Sequence, residues 1–537
     1  MTWAPGTVHL PAQGLAVFRR DEGRLWVAVD YGHAGGGHGH PDRLNLLLAD
    51  GATRWLDDMG TGTYVERALH WYRSTLAHQA PLVDGASQPG GDGRLVAIAE
   101  EGDLSGIVAA ARPARGVEAV RTVVVDGTCV IDRLSWQADR DVVLDLPFHV
   151  DGEVPLPWEP VARTGAGGLE DGFDFLEDVE RAPIDLAVGD ALRLALRAPD
   201  GSPSTAALWL VAPAGAELWR ARAPGPPGAG ARRFHVVRLR ARHGEVLAVV
   251  DPRGVVDGVV PGRGQVTLCF GDGTISMHRP PSTGDESGVW QLRKWRDARD
   301  LSVRRLALPH VAPQWEASPS PRTADGTVPR ALPTAGVWTT TLAEPHYRRS
   351  EASWDEAGAP GAVVHVSADD DALHVDVDVA LGRPPAFVPE GSLNALDNER
   401  PEVNGDGVQL HLATPAMAAA GMLAGWLLVP EVAGAVRAIP TAPAAEAIPV
   451  RAAWTPRADG YQLAVTVPRA ALQLDDRDAA GRTLLLDVLV NEMPEGRERR
   501  RGQLVLSGAA GGFVYLQGDR HAAARCVPVV LPPPATR

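Results

Sequence analysis

Asp30-Tyr31-Gly32-His33-Ala34-Gly35-Gly36-Gly37-His38-Gly39-His40-Pro41-Asp42 opens a stretch that decides how the rest of the chain is understood. It continues through the apolar run Leu44 to Leu48 and Asp57-Asp58-Met59-Gly60-Thr61-Gly62 to Trp71-Tyr72-Arg73-Ser74-Thr75-Leu76-Ala77-His78. Five of the sixteen histidines (His33, His38, His40, His70 and His78) fall inside it, interleaved with glycines and acids. Imidazoles with a carboxylate form the ligand set of a borderline metal such as zinc, and a neutral imidazole also suits proton transfer near pH 7. Gly35, Gly36, Gly37 and Gly39 let the backbone approach a ligand closely. In an extended chain His38, His40 and Asp42 point to one face. From these residues alone, a bound metal, a metal-free polar site and merely solvated histidines with no site all stand.

The apolar run and Ala52-Thr53-Arg54-Trp55-Leu56 flank Asp50-Gly51, a hairpin signal. Folding there returns Asp57 and Asp58 to the end of the hairpin where the His-Gly-His sits. A two-residue turn pairs Asp57 with Leu44, and one extra loop residue pairs Asp58 with it. Spacing does not choose between the two acids.

Asp30-Tyr31-Gly32, Gly37-His38-Gly39-His40-Pro41-Asp42, Asp58-Met59-Gly60-Thr61-Gly62 and Tyr72 to His78 resemble the C-terminal β-sandwich of heparinase II/III-like polysaccharide lyases, the group that includes alginate and oligoalginate lyases. The likeness covers about residues 7 to 300, densely to Asp84 and thinly beyond. It implies that His40, Asp58 and His78 are ligands of a structural zinc buried in the sandwich, and that His38 faces a substrate cleft. Tyr72 and Arg73 are implied there too, Tyr72 in catalysis and Arg73 in substrate binding. Asp58 is preferred to Asp57 because it stands just before the X-Gly-Thr turn. Met59 occupies the place of a usual proline and Gln79 that of a usual asparagine, departures that touch the turn and a neighbour rather than the ligands.

At 537 residues the chain has room for two to four domains. Its net charge of −15 argues against nucleic acid as a partner. Lys294 is the single lysine, which makes Schiff-base chemistry improbable. Cys129, Cys269 and Cys526 are too few and too far apart for a disulfide framework or a cysteine metal site. No apolar stretch is long enough for a membrane span, and Met1 to Leu10 lacks the pattern of an export signal. The expected location is therefore cytoplasmic, or periplasmic or secreted if the true N-terminus lies upstream.

Glycine and proline number 58 and 45, well above an ordinary share, and recur between short apolar runs. That pattern predicts an all-β fold: a large antiparallel β-sandwich over 1–311, a Pro/Ser-rich linker over 312–334, and a second, smaller β-sandwich over 335–537. Strands are expected at Gly14 to Arg19, Leu25 to Asp30, Arg94 to Ala99, Ser105 to Ala111, Gly116 to Val125, Cys129 to Trp136 and Val142 to His149. Further strands are expected at Arg233 to Arg240 and Val246 to Val250, with Asp171 to Glu180 as a loop. His149, at a strand end, reads as an ordinary half-buried histidine. In the last region, Leu396 to Val408 and Val490-Asn491-Glu492 resemble the family-9 carbohydrate-binding module and its superfamily. Asp397, Asn398, Asn404 and Asp406 offer oxygens suited to calcium, although turn-forming Asn and Asp need no ion. Trp354, Trp426 and Trp454 offer faces for sugar stacking or for core packing.

Two functions follow as expectations. One is a polysaccharide lyase, or the sandwich portion of one, cleaving uronate-containing acidic polysaccharide by β-elimination with His38 and Tyr72 in catalysis. The other is a non-catalytic carbohydrate-binding protein of two sandwiches. The first is the main expectation; what speaks for the second is that lyases of the resembled family place a helical toroid, bearing a tyrosine acid/base, before the sandwich. No run of amphipathic helices is legible in this chain, so an upstream-encoded toroid is the implied partner.

Overall fold

The computed structural model describes residues 6–34, 39–63, 66–89, 91–161, 171–187, 189–281, 288–297, 299–311, 313, 330–331, 337–350, 352–387, 400–420, 422–431, 434–472, 474, 482–494, 496–497, 499–508, 514, 521 and 523–532. Compactness divides the chain into two units. One comprises Met1–Thr61, Trp71–Ala162 and Phe175–Ala317; the other comprises Gly62–His70, Arg163–Asp174 and Ser318–Arg537. Both are built from β-sheets, antiparallel except where Arg330–Ala331 runs parallel to Val527–Val530. Among the described residues no helix is long and apolar enough to cross a membrane.

The first unit has three layers rather than the two of a simple sandwich. A five-stranded sheet runs in the order Gly6–Leu10, Leu15–Arg20, Leu25–Asp30, Asn45–Asp50, Thr53–Leu56. It packs Phe18, Val27, Leu46 and Leu48 against Ile107, Ala119, Val123 and Leu134 of a twelve-stranded sheet. The opposite face of that large sheet, with Leu104, Val108, Val120, Val124 and Ile131, is covered by a third sheet spanning Val256 to Ala307 through Val259, Leu268, Trp290, Leu292 and Leu306. Burial on both faces is why Val117–Asp126 carries an unbroken apolar run at Val123 to Val125, a pattern that cannot reveal how many layers enclose it.

Two strands are longer than their sequence signals. The segments around Cys129 and Val142 are one strand, Cys129–Phe148, with a register shift between Gln137 and Val142. Its partner is also continuous, Ala231–Asp251, where two short strands were expected. Glu177–Pro183, which begins inside the stretch Asp171 to Glu180 expected to be a loop, is a strand paired with Glu217–Pro224.

The hairpin that positions the acids forms, but in neither expected register. Asp50 pairs with Thr53 and Ala49 with Arg54, so the turn residues are Gly51 and Ala52, with Gly51 supplying a φ of 63° at the first position. Leu48 then faces Leu56, so Trp55 is an inserted bulge residue. Asp57 and Asp58 leave the sheet beyond Leu56 instead of pairing with Leu44.

In the second unit the five-stranded sheet Trp338–Leu342, Gly361–Ala368, Ala372–Ala380, Gly460–Pro468, Arg451–Arg457 packs on an eight-stranded sheet. Its core joins Val364, Val375 and Leu463 to Leu410, Trp426 and Leu486.

Candidate metal centre

Three elements of the first unit bring the candidate ligands together. His40 precedes the Asp42–Asn45 turn, in which the Asn45 amide donates to the Asp42 carbonyl at 3.0 Å. Asp58 follows the hairpin, its Oδ1 accepting from the Gly60 amide at 2.7 Å, a local turn that Gly60 permits with a φ of 72°. His78 ends the short 3₁₀ turn Thr75–Ala77 and is fully buried. One potential ligand atom from each of His40, Asp58 and His78 lies within 4.8 Å of the other two. The residue types scattered over 39 positions of sequence thus converge on one point.

Hydrogen bonds fix how His78 is presented. Its Nε2 lies 3.1 Å from the Tyr72 carbonyl, which only accepts, so Nε2 carries the proton. Its Nδ1 faces the Asp58 Oδ2 at 2.9 Å and the Asp42 Oδ2 at 3.9 Å. A neutral imidazole would set a lone pair against a carboxylate at that distance. Something positive belongs between them, a second proton or a cation. A ring whose far N–H is anchored on a carbonyl is how a ligating histidine is held. Asn45 Nδ2 donates to Asp58 Oδ2 at 3.1 Å, and the Thr61 hydroxyl lies 2.8 Å from His40 Nε2.

The proton affinities of the metal-free cluster follow from the same geometry. Burial opposes charge on His78, yet Asp58 and then Asp42 outweigh it and raise the imidazole to about 9. Burial works to raise Asp58, but His78, the Gly60 amide and His40 carry it well below the usual carboxylate range. His40 is lowered to about 4 by burial, then by His78 and Arg73, and is a neutral electron-pair donor at pH 7. Burial, with Asp42, raises Asp30 to about 7. Two imidazoles and one carboxylate match the three-protein-ligand set of zinc.

Other residues singled out in the sequence take different places. His38 lies outside the described residues. Arg73 is half-buried and near enough to His40 to depress its basicity. Tyr72 is buried, and its hydroxyl donates to the Gly225 carbonyl at 2.9 Å. Its hydroxyl proton is therefore engaged by the backbone in this structure. His149 is half-buried, donates from Nε2 to the Leu76 carbonyl at 2.9 Å and stacks on Phe234 with ring centres 4.6 Å apart.

Gln79, a departure from the resembled motif, is a hub. Its backbone N–H donates to Asn45 Oδ1 at 2.9 Å. Its Nε2 donates to the Leu46 and Asp57 carbonyls at 3.1 and 3.0 Å, and its Oε1 accepts from the His149 amide at 3.3 Å. Asn45, Thr61 and Gln79 carry no spacing signal, because their partners lie 13 to 70 residues away.

In the second unit Asp406 has both oxygens engaged, by Arg383 Nη1 and Nη2 at 2.6 and 2.9 Å and by the Ala386 and Met493 amides. Asn404 Oδ1 accepts from the Arg500 amide at 3.0 Å. Neither carries the calcium expectation further, and Asp397 and Asn398 lie outside the described residues. Trp426 and Trp454 are core, and Trp354 is half-buried with its N–H on the Pro360 carbonyl.

With this geometry in place, the chain can be set beside known proteins. Residues 4–251 match the family described as "Heparinase II/III-like, C-terminal". That part of the chain is similar to the C-terminal region of heparinase II/III-like proteins. An exo-oligoalginate lyase of Saccharophagus degradans (strain 2-40) is 27% identical over 168 residues, which cover 26% of this chain and 23% of that enzyme. A heparan sulfate lyase from Pedobacter heparinus shares 12% identity at a TM-score of 0.38, covering 57% of this chain and 43% of that one. A family-9 carbohydrate-binding module from Caldicellulosiruptor kristjanssonii, solved with cellotriose, shares 12% identity at a TM-score of 0.24, covering 36% of this chain and 83% of the module. The chain thus spans less than half the length of the lyases it matches.

Proposed function

We propose that the first unit is the metal-bearing sandwich of a polysaccharide lyase that cleaves uronate-containing glycans by β-elimination. The observation that carries this reading is the convergence of His40, Asp58 and His78, with His78 Nδ1 turned to Asp58, inside a heparinase II/III-like region. His40, Asp58 and His78 would hold a zinc ion, which would supply fixed positive charge beside the His40 loop where His78 otherwise carries a second proton. The remaining work falls to the protein. In the elimination the C5 proton leaves, its electron pair forms the C4–C5 double bond, and the C4–O4 bond breaks as O4 takes a proton. Pairing the sugar carboxylate with a cation makes the C5 proton acidic enough to remove. Arg73, beside His40, suits that pairing, and a guanidinium binds a carboxylate through two parallel hydrogen bonds. His38 is assigned proton relay by its place in the resembled motif. Tyr72, donating to Gly225, acts as a strut, so in this reading the acid/base tyrosine comes from an upstream-encoded toroid that forms the other wall of the cleft.

The engagement of Tyr72 also favours a second reading, a carbohydrate-binding sandwich without catalysis. One experiment separates them. The chain is incubated with alginate, heparin, heparan sulfate and hyaluronan, and the unsaturated uronate is followed by its ultraviolet absorbance, with and without the region encoded upstream. Little product is expected from the chain alone. Product is expected on adding the upstream region, and His38→Ala should abolish it, since losing general acid–base catalysis forfeits about 10²- to 10⁴-fold in rate. Robust elimination by the chain alone overturns the two-wall account. Binding with no product under either condition replaces the lyase by the second reading.

A further inference from the structure

We infer that the buried Arg121–Asp132 pair in the large sheet is a positioning device for the His40–Asp58–His78 cluster; this rests on the metal reading above. Arg121 has no exposed surface and Asp132 is 1% exposed. Arg121 Nε and Nη2 bond to the two oxygens of Asp132 at 2.8 and 2.6 Å. The remaining nitrogen, Nη1, donates to two backbone carbonyls, Leu44 and Gln79, which are 77 and 42 residues away in the chain.

Those two carbonyls belong to the segments that present the ligands. Leu44 adopts a φ of 67°, a left-handed conformation that a branched side chain rarely takes unless its surroundings impose it. The residue after it, Asn45, donates to Asp58 and accepts from the Gln79 amide. Gln79 follows His78 directly and also holds the Asp57 carbonyl. A single guanidinium therefore locks the turn after His40, the residue after His78 and, through Asn45 and Gln79, both sides of the Asp57–Asp58 link. Fold stability alone does not account for such a pair. Two charges taken out of water cost about as much as their attraction returns, and well-packed apolar residues commonly replace them without loss. What apolar residues cannot reproduce is the fork that binds a carboxylate on one side and two carbonyls on the other.

The test uses the full chain and two variants. The double variant Arg121→Met with Asp132→Leu removes both charges, so no carboxylate is left buried and unpaired. Arg121→Lys keeps a cation for Asp132 but loses the fork, and serves if the double variant does not fold. Two quantities are measured: zinc affinity by competition with a chromophoric chelator, and hydrogen–deuterium exchange. Zinc should bind about 10- to 100-fold more weakly in either folded variant, the range typical when outer-shell support of a metal is lost. Amides of residues 42–46 and 76–80 should exchange faster, while the strand Ala207–Val211 is unchanged. Unaltered zinc affinity together with unaltered local exchange overturns the inference. If the wild-type chain binds no zinc, the metal reading fails instead, and local exchange alone decides whether Arg121 positions these segments.

Discussion

Each unit contains a cluster of two histidines and an aspartate, and the two are physically opposite. In the first, His78 Nδ1 points at an Asp58 carboxylate that is 31% exposed, and charge on the imidazole is favoured. In the second, the His411 and His521 rings lie with centres 4.4 Å apart, both buried, with Asp487 beneath them at 0% exposure. Asp487 is already served there. Its Oδ1 accepts the Val488 and Ser507 amides at 2.9 and 3.0 Å, its Oδ2 accepts the Ser507 hydroxyl, and His521 Nε2 lies 3.0 Å from Oδ2. Burial, then His521, pushes His411 well below its ordinary value, so its ring stays neutral. The same residue types give a cation-seeking site in one case and a sealed polar layer in the other. The decisive difference is that ligand atoms of all three residues converge within 4.8 Å in the first cluster, whereas in the second the Asp487 oxygens are already taken by Val488 and Ser507.

The comparison sharpens most through pH. In the metal-free first unit, the His78 pKa is raised above its unfolded value, so its contribution to stability is complete below about pH 6.5 and is lost as pH rises through about 9. On the proposal that His78 is a ligand, zinc would have to displace that proton. Zinc affinity is therefore expected to rise about tenfold per pH unit between pH 6.5 and 9, roughly hundredfold over two units, and to level off above. Isothermal titration across that window checks the slope; a flat profile would mean that His78 is not a ligand. A smaller effect is expected at Tyr72. Tyr72→Phe leaves the Gly225 carbonyl without its donor and should lower stability by about 1–2 kcal/mol, read by denaturant unfolding, with zinc affinity unchanged. A zinc affinity that falls with the hydroxyl would give Tyr72 a role at the metal rather than a structural one.

The all-β character was legible from Gly/Pro-punctuated apolar runs, because short strands must bury their faces against another sheet. The third layer was not, since Val123 to Val125 look the same whether one sheet or two cover them. Hairpin placement was legible at Asp50-Gly51, but register was not, because the inserted Trp55 has no signature that distinguishes it from a paired residue. His40, Asp58 and His78 were found through linked motifs, while spacing left Asp57 and Asp58 equal. What separates the two acids is three-dimensional. Asp58 meets Asn45 and His78, whereas Asp57 pairs with the exposed Arg54. Arg121 and Gln79 left no local trace, since their contacts join strands far apart in the chain.

The central claim is that only the first of the two histidine–aspartate clusters holds a metal. The most direct test is the zinc content of the purified full chain, measured by elemental analysis for the wild type, His40→Ala and His411→Ala. The account predicts about one equivalent in the wild type, near none in His40→Ala with a lowered melting temperature, and about one in His411→Ala, since a metal bound only by the native state adds its binding energy to folding. Full occupancy in His40→Ala, or loss of zinc in His411→Ala, would contradict it.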